Sequence, residues 1–536
     1  LDFSDVDIAA LADGFSSITI GQAAGTHTIT VDSSTFTDPL TIRAPVGAGA
    51  INVTGLLTGN GNATILLDGP GATTTLSANI VTQGNTVTFS DAVVLGANVL
   101  IDTTDSGGSA AGATITFQGT LDSTGAGVET LTLNAGTAGN IDFDGIVGGT
   151  TRVGDLTITN ANNVTADFAV TTASITQTAG QGTTTFTGAV NTNAVGGIDL
   201  NGAVFTVSNT VTTTTGGPVT ITNSGLLTIA AAGDMTLDGL FLQDGAGTTT
   251  TSGDIVTTDD NITFTTAVTL GGNVDLDTTG AAAGNILFSS TIATGGNNLT
   301  LDGGPAGNVT ISGAVTGGGD MTVRDGAIQS YDALTVNLLD IQDATTSVTL
   351  AGAVASTTTI DINSAGGSIV QNGAITSSTN VDLDAGTTIG LNAAISGVSG
   401  TIDIDSTGVT TVAAAGDISA GGAVTFGAVK TGTLTTSGDI VTTDDNITFT
   451  RAVTLGGNID IDSTGTAAGN ILFSSTIATG GNNLTLDGGP AGNVTLSGAL
   501  TGGGDMTVRD GAIQSYDALT VNLLDIQDAT TSVTLA

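Results

Sequence analysis

The sequence predicts an all-β chain wound as a parallel, right-handed β-helix (β-solenoid), with three short strands in each coil of about 23 residues. Three observations predict it. Residues 250–351 recur at 435–536, 185 positions on, with seven substitutions in 102 residues, so the chain is a tandem array. Inside that module the segments opening at Asn261, Asn285 and Asn308 align as successive rungs of 24, 23 and about 23 residues, each holding three runs that alternate apolar with polar residues. The composition fits as well: 81 Gly with abundant Thr, Asn, Asp and Ser supply corners, and Thr, Val and Ile suit the flat strands between them.

Taken in order, residues 1–249 read as divergent coils, 250–351 as the first copy of the module, 352–434 as connecting coils and 435–536 as the second copy. No Pro-rich or charged linker breaks the pattern, which predicts one continuous solenoid, itself a piece of something longer. The one helix candidate, DVDIAALADG at 5–14, reads equally well as strand and turn. In the first rung the strands are NITF, AVTL and VDLD. Stacking the rungs sets Ile262 under Ile286 under Val309, Phe264 under Phe288 under Ile311, and Val268 under Ile292 under Val315, which makes continuous apolar columns. Four substitutions between the copies, Val274→Ile459, Leu276→Ile461, Ile311→Leu496 and Val315→Leu500, exchange aliphatic for aliphatic as a packed core requires. The other three, Thr266→Arg451, Thr278→Ser463 and Ala281→Thr466, read as surface or turn positions. Eight rungs of about 23 residues fill the 185-residue shift, a fit expected if duplication restores the same rotational phase. At about 4.8 Å per coil the whole chain would make a rod roughly 110 Å long.

The formal charge of −42 arises from 48 acidic residues, all Asp but Glu129, against six cations: Arg43, Arg152, Arg324, Lys430, Arg451 and Arg509. Such a chain has no basic surface to neutralise phosphate, which excludes nucleic acid and anionic membranes as partners. No run of 18 apolar residues is present to form a transmembrane segment, and without Cys there is no disulfide or thiolate–metal framework.

Carboxylates are the best candidates for chemistry. In VDLD, Asp275 and Asp277 share the outer face, and rung stacking places Asp302 over Asp277 with Arg324 above it, a charge-compensated column repeated as Asp462, Asp487 and Arg509 beside Asp460. Carboxylates one coil apart repel by about 1–3 kcal/mol, which a bound Ca²⁺ would reverse. Asp275, Asp277, Asp302, Asp460, Asp462 and Asp487 are therefore the calcium candidates, the alternative being that they are solvated charge and turn formers that keep an edge-bearing rod soluble. No cofactor is required. The doublets Asp142/Asp144, Asp382/Asp384 and Asp403/Asp405 lack an evident cation. The Asn-x-Thr sequons at Asn52 and Asn163 read as corner residues, and a ladder of outward threonines, Thr263 to Thr310, is interrupted by Leu287.

The stretch LADGFSSITIGQAAGTHTITV at 11–31, with the Gly/Thr/Asn/Asp-rich short strands that follow it, resembles the β-strand-repeat proteins of filamentous haemagglutinin type. That resemblance covers the whole chain through composition and rhythm and contains no catalytic motif. It implies secretion to the bacterial cell surface and an adhesive or fibre-forming role; the rung here is longer than that family's shaft repeat, so no binding residue carries over. The expectation is a structural segment of a very large extracellular surface protein, self-associating into a fibre, sheath or coat. An adhesin shaft that meets another cell or a surface polysaccharide is the alternative. A polysaccharide-active β-helix enzyme is the remote third: it would need paired acids framed by aromatic platforms, whereas the chain has no Trp, Tyr331 and Tyr516 at equivalent repeat positions, and one histidine, His27.

Overall fold

The computed structural model describes residues 5–536 apart from 12, 48, 70, 281, 378, 428 and 468. It divides into two compact units, Leu1–Gly272 and Asn273–Ala536, and each is a parallel β-solenoid with three faces. The boundary falls inside the first copy of the repeat. In the first unit one face begins with Ile18–Gly21, Leu40–Arg43 and Ile65–Asp68, in register as Ile18↔Leu40↔Ile65. The second face begins with Thr28–Val31, Ala50–Val53 and Thr73–Leu76, the third with Ser34–Phe36, Leu57–Gly59 and Ile80–Thr82. The segment at 5–14 resolves as a short helix, Asp5–Ala9. Ala281, one of the substituted positions, lies outside the described residues.

Strands of three or four residues alternate buried with half-buried side chains because every second Cβ points inward. Within the second unit the expected columns form. Ile286 pairs with Val309, Phe288 with Ile311 and Ile292 with Val315, and in the second copy Ile447, Ile471 and Val494 stack in turn. All four aliphatic exchanges lie in this core, none above 3 % exposure in either copy. Aromatic rings continue the stacking: Phe426 on Phe449 at 5.4 Å and Phe449 on Phe473 at 4.4 Å, nearly coplanar in both cases.

Coil length is less regular than expected. The third rung of the module, from Asn308, spans 20 residues where about 23 was expected. Among the described residues the span ranges from 18 residues at Met321–Leu339 to 32 at Asn98–Thr130, where 103–114 and 124–130 leave the strands as loops. What stays constant is the corner. The side-chain oxygen of Asn446 accepts the N–H of Asn470, that of Asn470 the N–H of Asn493, and that of Asn493 the N–H of Ile513. The same chain of bonds links Asn285, Asn308 and Ile328, and Asp234 serves Asp254 likewise. Each satisfies an amide that the strand ladder misses at the bend. Asn163 accepts from Thr183 and donates to Asn140, so its amide is a corner bond, as the corner reading of that sequon requires. Backbones meet closely at Gly492, where a Cβ would lie 2.0 Å from the Gly469 carbonyl oxygen.

The expected phase of the duplication is wrong. Within the second unit the column that starts at Ile286 runs through Val309, Gln329, Val348, Ile369, Ile389, Thr410, Leu434 and Val453 to Ile477. The repeat equivalent of Ile286 is Ile471, which stands on a different face, stacked on Ile447. A shift of 185 residues is therefore eight and two-thirds coils, at about 21 residues each. Three faces with the same alternation and corner chemistry are interchangeable, so a copy needs a whole number of strands and not of coils.

Truncating Phe449 to Ala opens a cavity between two stacked rings; urea unfolding followed by circular dichroism should show a loss of about 3–5 kcal/mol, and a smaller one for Phe449→Leu.

Candidate functional site: an acidic face

Parallel register places each outward residue over its counterpart one coil below, so a short Asp motif that recurs once per coil becomes a ladder. On one face of the second unit Asp340, Asp361, Asp382 and Asp403 are paired in sequence, and beside them run Asn363, Asp384 and Asp405. Burial is the largest influence on Asp361, Asp382 and Asp403 and raises all three pKa values, Asp382 to about 6, and the neighbouring carboxylates push the same way. This ladder, from LDI, IDINS, VDLDA and IDIDS at intervals of 21 residues, was legible in the sequence, but an assumed 23-residue rung hides it.

Asp384 and Asp405 do have cations, contrary to expectation. Lys430 forms an ion pair with Asp384 and donates to the Ala385 carbonyl at 3.2 Å. Arg451, expected at a surface or turn position, lies in the bend before the strand Val453–Leu455 and is only 4 % exposed. Its Nη2 reaches Asp405 at 2.9 Å, two coils away, and its Nη1 donates to the hydroxyls of Ser406 and Thr410 at 3.2 Å. The Val429 N–H completes the second oxygen of Asp405 at 2.8 Å. Burial lowers the Arg451 pKa and Asp405 opposes this; a guanidinium stays charged under such a shift. In the first copy the equivalent Thr266 donates to Gln243, and no acid lies in that position.

The six calcium candidates divide between two faces. Asp275, Asp277 and Asp302 lie on the face of the ladder, whereas Asp460, Asp462 and Asp487 lie on another, because the second copy is out of phase. Asp277 does stack on Asp302, and Asp462 on Asp487. Arg324 does not continue the first column. A bulge after Leu301 sets Asp325 against Asp302, and Arg324 turns back two coils to grip Asp275 through both oxygens at 2.7 and 3.2 Å. Arg509 likewise turns back two coils and pairs with one oxygen of Asp460 at 2.8 Å. Asp277 accepts the N–H and hydroxyl of Thr279, and Asp302 the N–H of Gly304. Burial, followed by Asp277 and Asp325, keeps the Asp302 pKa raised although Gly304 and Arg324 pull it down. Among the described residues no three acidic or histidine side chains converge on a metal-sized point.

The remaining cations are also engaged by neighbouring coils. Arg43 pairs with Asp68 at 2.7 Å, and Arg152 donates to the carbonyls of Thr172 and Asn191 at 2.6 and 3.0 Å. Thr278 and Ser463, expected at surface or turn positions, lie just past their strands and are fully buried with their hydroxyls on the carbonyls of Gly284 and Gly469; Thr466 is exposed. Tyr331 and Tyr516 are sealed in the core with their hydroxyls on Gln329 and Gln514, and burial raises both pKa values. His27 is half-buried ahead of the strand Thr28–Val31. The longest threonine row lies away from the column at Thr263: Thr165, Thr185, Thr206, Thr228, Thr250 and Thr269 are paired without interruption on one face of the first unit. Comparison with known protein families, curated proteins and solved structures returns no match.

Two outcomes follow. Because folding raises the Asp382 pKa, the ladder costs nothing below the unfolded value of 3.8, and its penalty builds as pH rises to about 6. The carboxyl is crowded by its neighbours but still reached by water, so after solvent screening Asp382→Asn should gain about 1 kcal/mol over the parent at pH 7 and almost nothing at pH 3.5, read from thermal melts. Arg451→Thr restores the residue of the first copy but strands Asp405; chemical denaturation at pH 7 should show a loss of about 3–5 kcal/mol, most of it recovered in Arg451→Thr/Asp405→Asn.

Proposed function

We propose that this chain is a structural segment of a very large secreted bacterial surface protein, forming part of a stiff extracellular fibre, sheath or coat. The observation that carries the reading is that every cation is engaged by an acid one or two coils away or by backbone carbonyls, so no cation is left unneutralised and the excess charge of each unit is anionic. Such a surface keeps an edge-rich β-structure soluble and apart from nucleic acid and anionic lipid. A chain with so few Lys and Arg also gives trypsin-like proteases few sites, which suits a life outside the cell. The non-catalytic reading is supported by where the reactive side chains went: both tyrosines are in the core, and Arg324 and Arg509 are clamped on Asp275 and Asp460. Calcium enters this reading only as an ion shared between the acidic faces of neighbouring molecules.

A specific observation favours the adhesin shaft as second reading. Ile146 and Phe168, 39 and 52 % exposed, occupy the same corner of adjoining coils in the first unit, and an exposed aromatic is what a contact surface needs. Immunogold electron microscopy of the source cells with an antibody to the duplicated module separates the readings. Regular label along continuous fibres or a sheath is expected; label confined to scattered short projections would favour the adhesin, and label inside cells would overturn both.

A further inference from the structure

Asp91 lies at the corner that follows the strand Val87–Phe89 in the first unit. It is 5 % exposed, and neither carboxyl oxygen has a hydrogen-bond partner. The pairing Phe89↔Leu67 carries Asp91 over Gly69, and its Oδ2 lies where a side chain at 69 would be, 2.7 Å from a Cβ built there. The methyl groups of Ala44 and Ala72 wall the same space, each 3.1 Å from that Cβ position. A carboxyl group in such a pocket is accommodated when neutral and poorly solvated when charged. The charged groups around it do not help. Asp68, one coil below, opposes ionisation, and Arg43 is held on Asp68; the coil above presents Gln118 and Gly119, and the Gly69 N–H faces the carboxyl without closing a hydrogen bond.

We propose that Asp91 is a pH-responsive latch: neutral, it closes the corner that joins Ile65–Asp68 to Thr73–Leu76, and ionised, it loosens that corner and admits water. The bonds at stake are Ala72 N–H to the Gly69 carbonyl at 2.6 Å, Ser90 N–H to Leu67 at 3.0 Å and Ala44 N–H to Asp68 at 2.9 Å, which tie three successive coils together at this edge. In support, burial raises the Asp91 pKa from 3.8 to about 6 when the corner is closed. The closed state is thus unpenalised below 3.8, loses stability between 3.8 and about 6, and changes no further above that.

Hydrogen exchange with mass spectrometry on the full chain tests this, after correction for the intrinsic pH dependence of exchange. Between pH 4.5 and 7 the opening equilibrium for the amides of residues 69, 71, 72 and 90 should rise roughly 25-fold, as the two pKa values require, while the distant strand Thr183–Phe186 changes less than twofold. Asp91→Asn keeps the shape and removes the charge, so its exchange at residues 69, 71 and 72 should be flat over the same range; Asp91→Ser serves if that variant folds poorly. Flat exchange in the parent chain, or an undiminished pH response in either folded variant, overturns the proposal. If neither variant folds, the parent profile alone decides it.

Discussion

In-register parallel stacking is the constraint on which this structure rests. Each coil lays its side chains on those of the coil below, so chemistry at one position is judged by whether it tolerates a near copy of itself about 4.8 Å away. Aliphatic groups and phenyl rings gain from such neighbours, which is why Ile447, Ile471 and Val494 or Phe426, Phe449 and Phe473 can run in files. Asparagine gains too, because it carries an acceptor for the coil that follows. Aspartate is the one abundant residue that loses, and the second unit carries four in a file.

The cations answer that loss with unusual economy. Arg324 and Arg451 do not sit beside the acids they neutralise; they reach two coils back to them, so one guanidinium ties three coils. The central members of the file, Asp361 and Asp382, have no such reach directed at them, and burial with the neighbouring carboxylates holds both pKa values up, that of Asp382 to about 6. Arg451 also shows how a duplicated segment is fitted to its site. Its interior could be copied nearly unchanged, but its first coil landed on Asp405 and needed a charge there, whereas the earlier copy landed on Gln243 and needed only a hydroxyl.

The fold was legible because it depends on alternation and on repetition, and both are local. The strands NITF, AVTL and VDLD form as read, and the columns through Ile286 and Ile292 follow. Long-range quantities were not legible. One bulge after Leu301 moved Arg324 out of line with Asp302, and no residue type announces a bulge in advance. Coil length drifts between corners, so a uniform rung obscured the Asp340–Asp403 ladder and gave the duplication a false phase. The burial of Arg451, Thr278 and Ser463 was hidden for a related reason: polar residues at a corner point outward or inward according to the coil below, which a single rung does not contain.

The offset between the two copies reaches beyond register. Asp275 with Arg324 and Asp460 with Arg509 are the same constellation, yet they look out from different sides of the solenoid. A shift of eight and two-thirds coils is a screw operation with a rotation of a third of a turn, so a third copy at that interval would occupy the remaining side and a fourth would return to the first. Identical segments in such an array present their surface helically, and any neighbour that recognises the segment finds it from every direction around the axis.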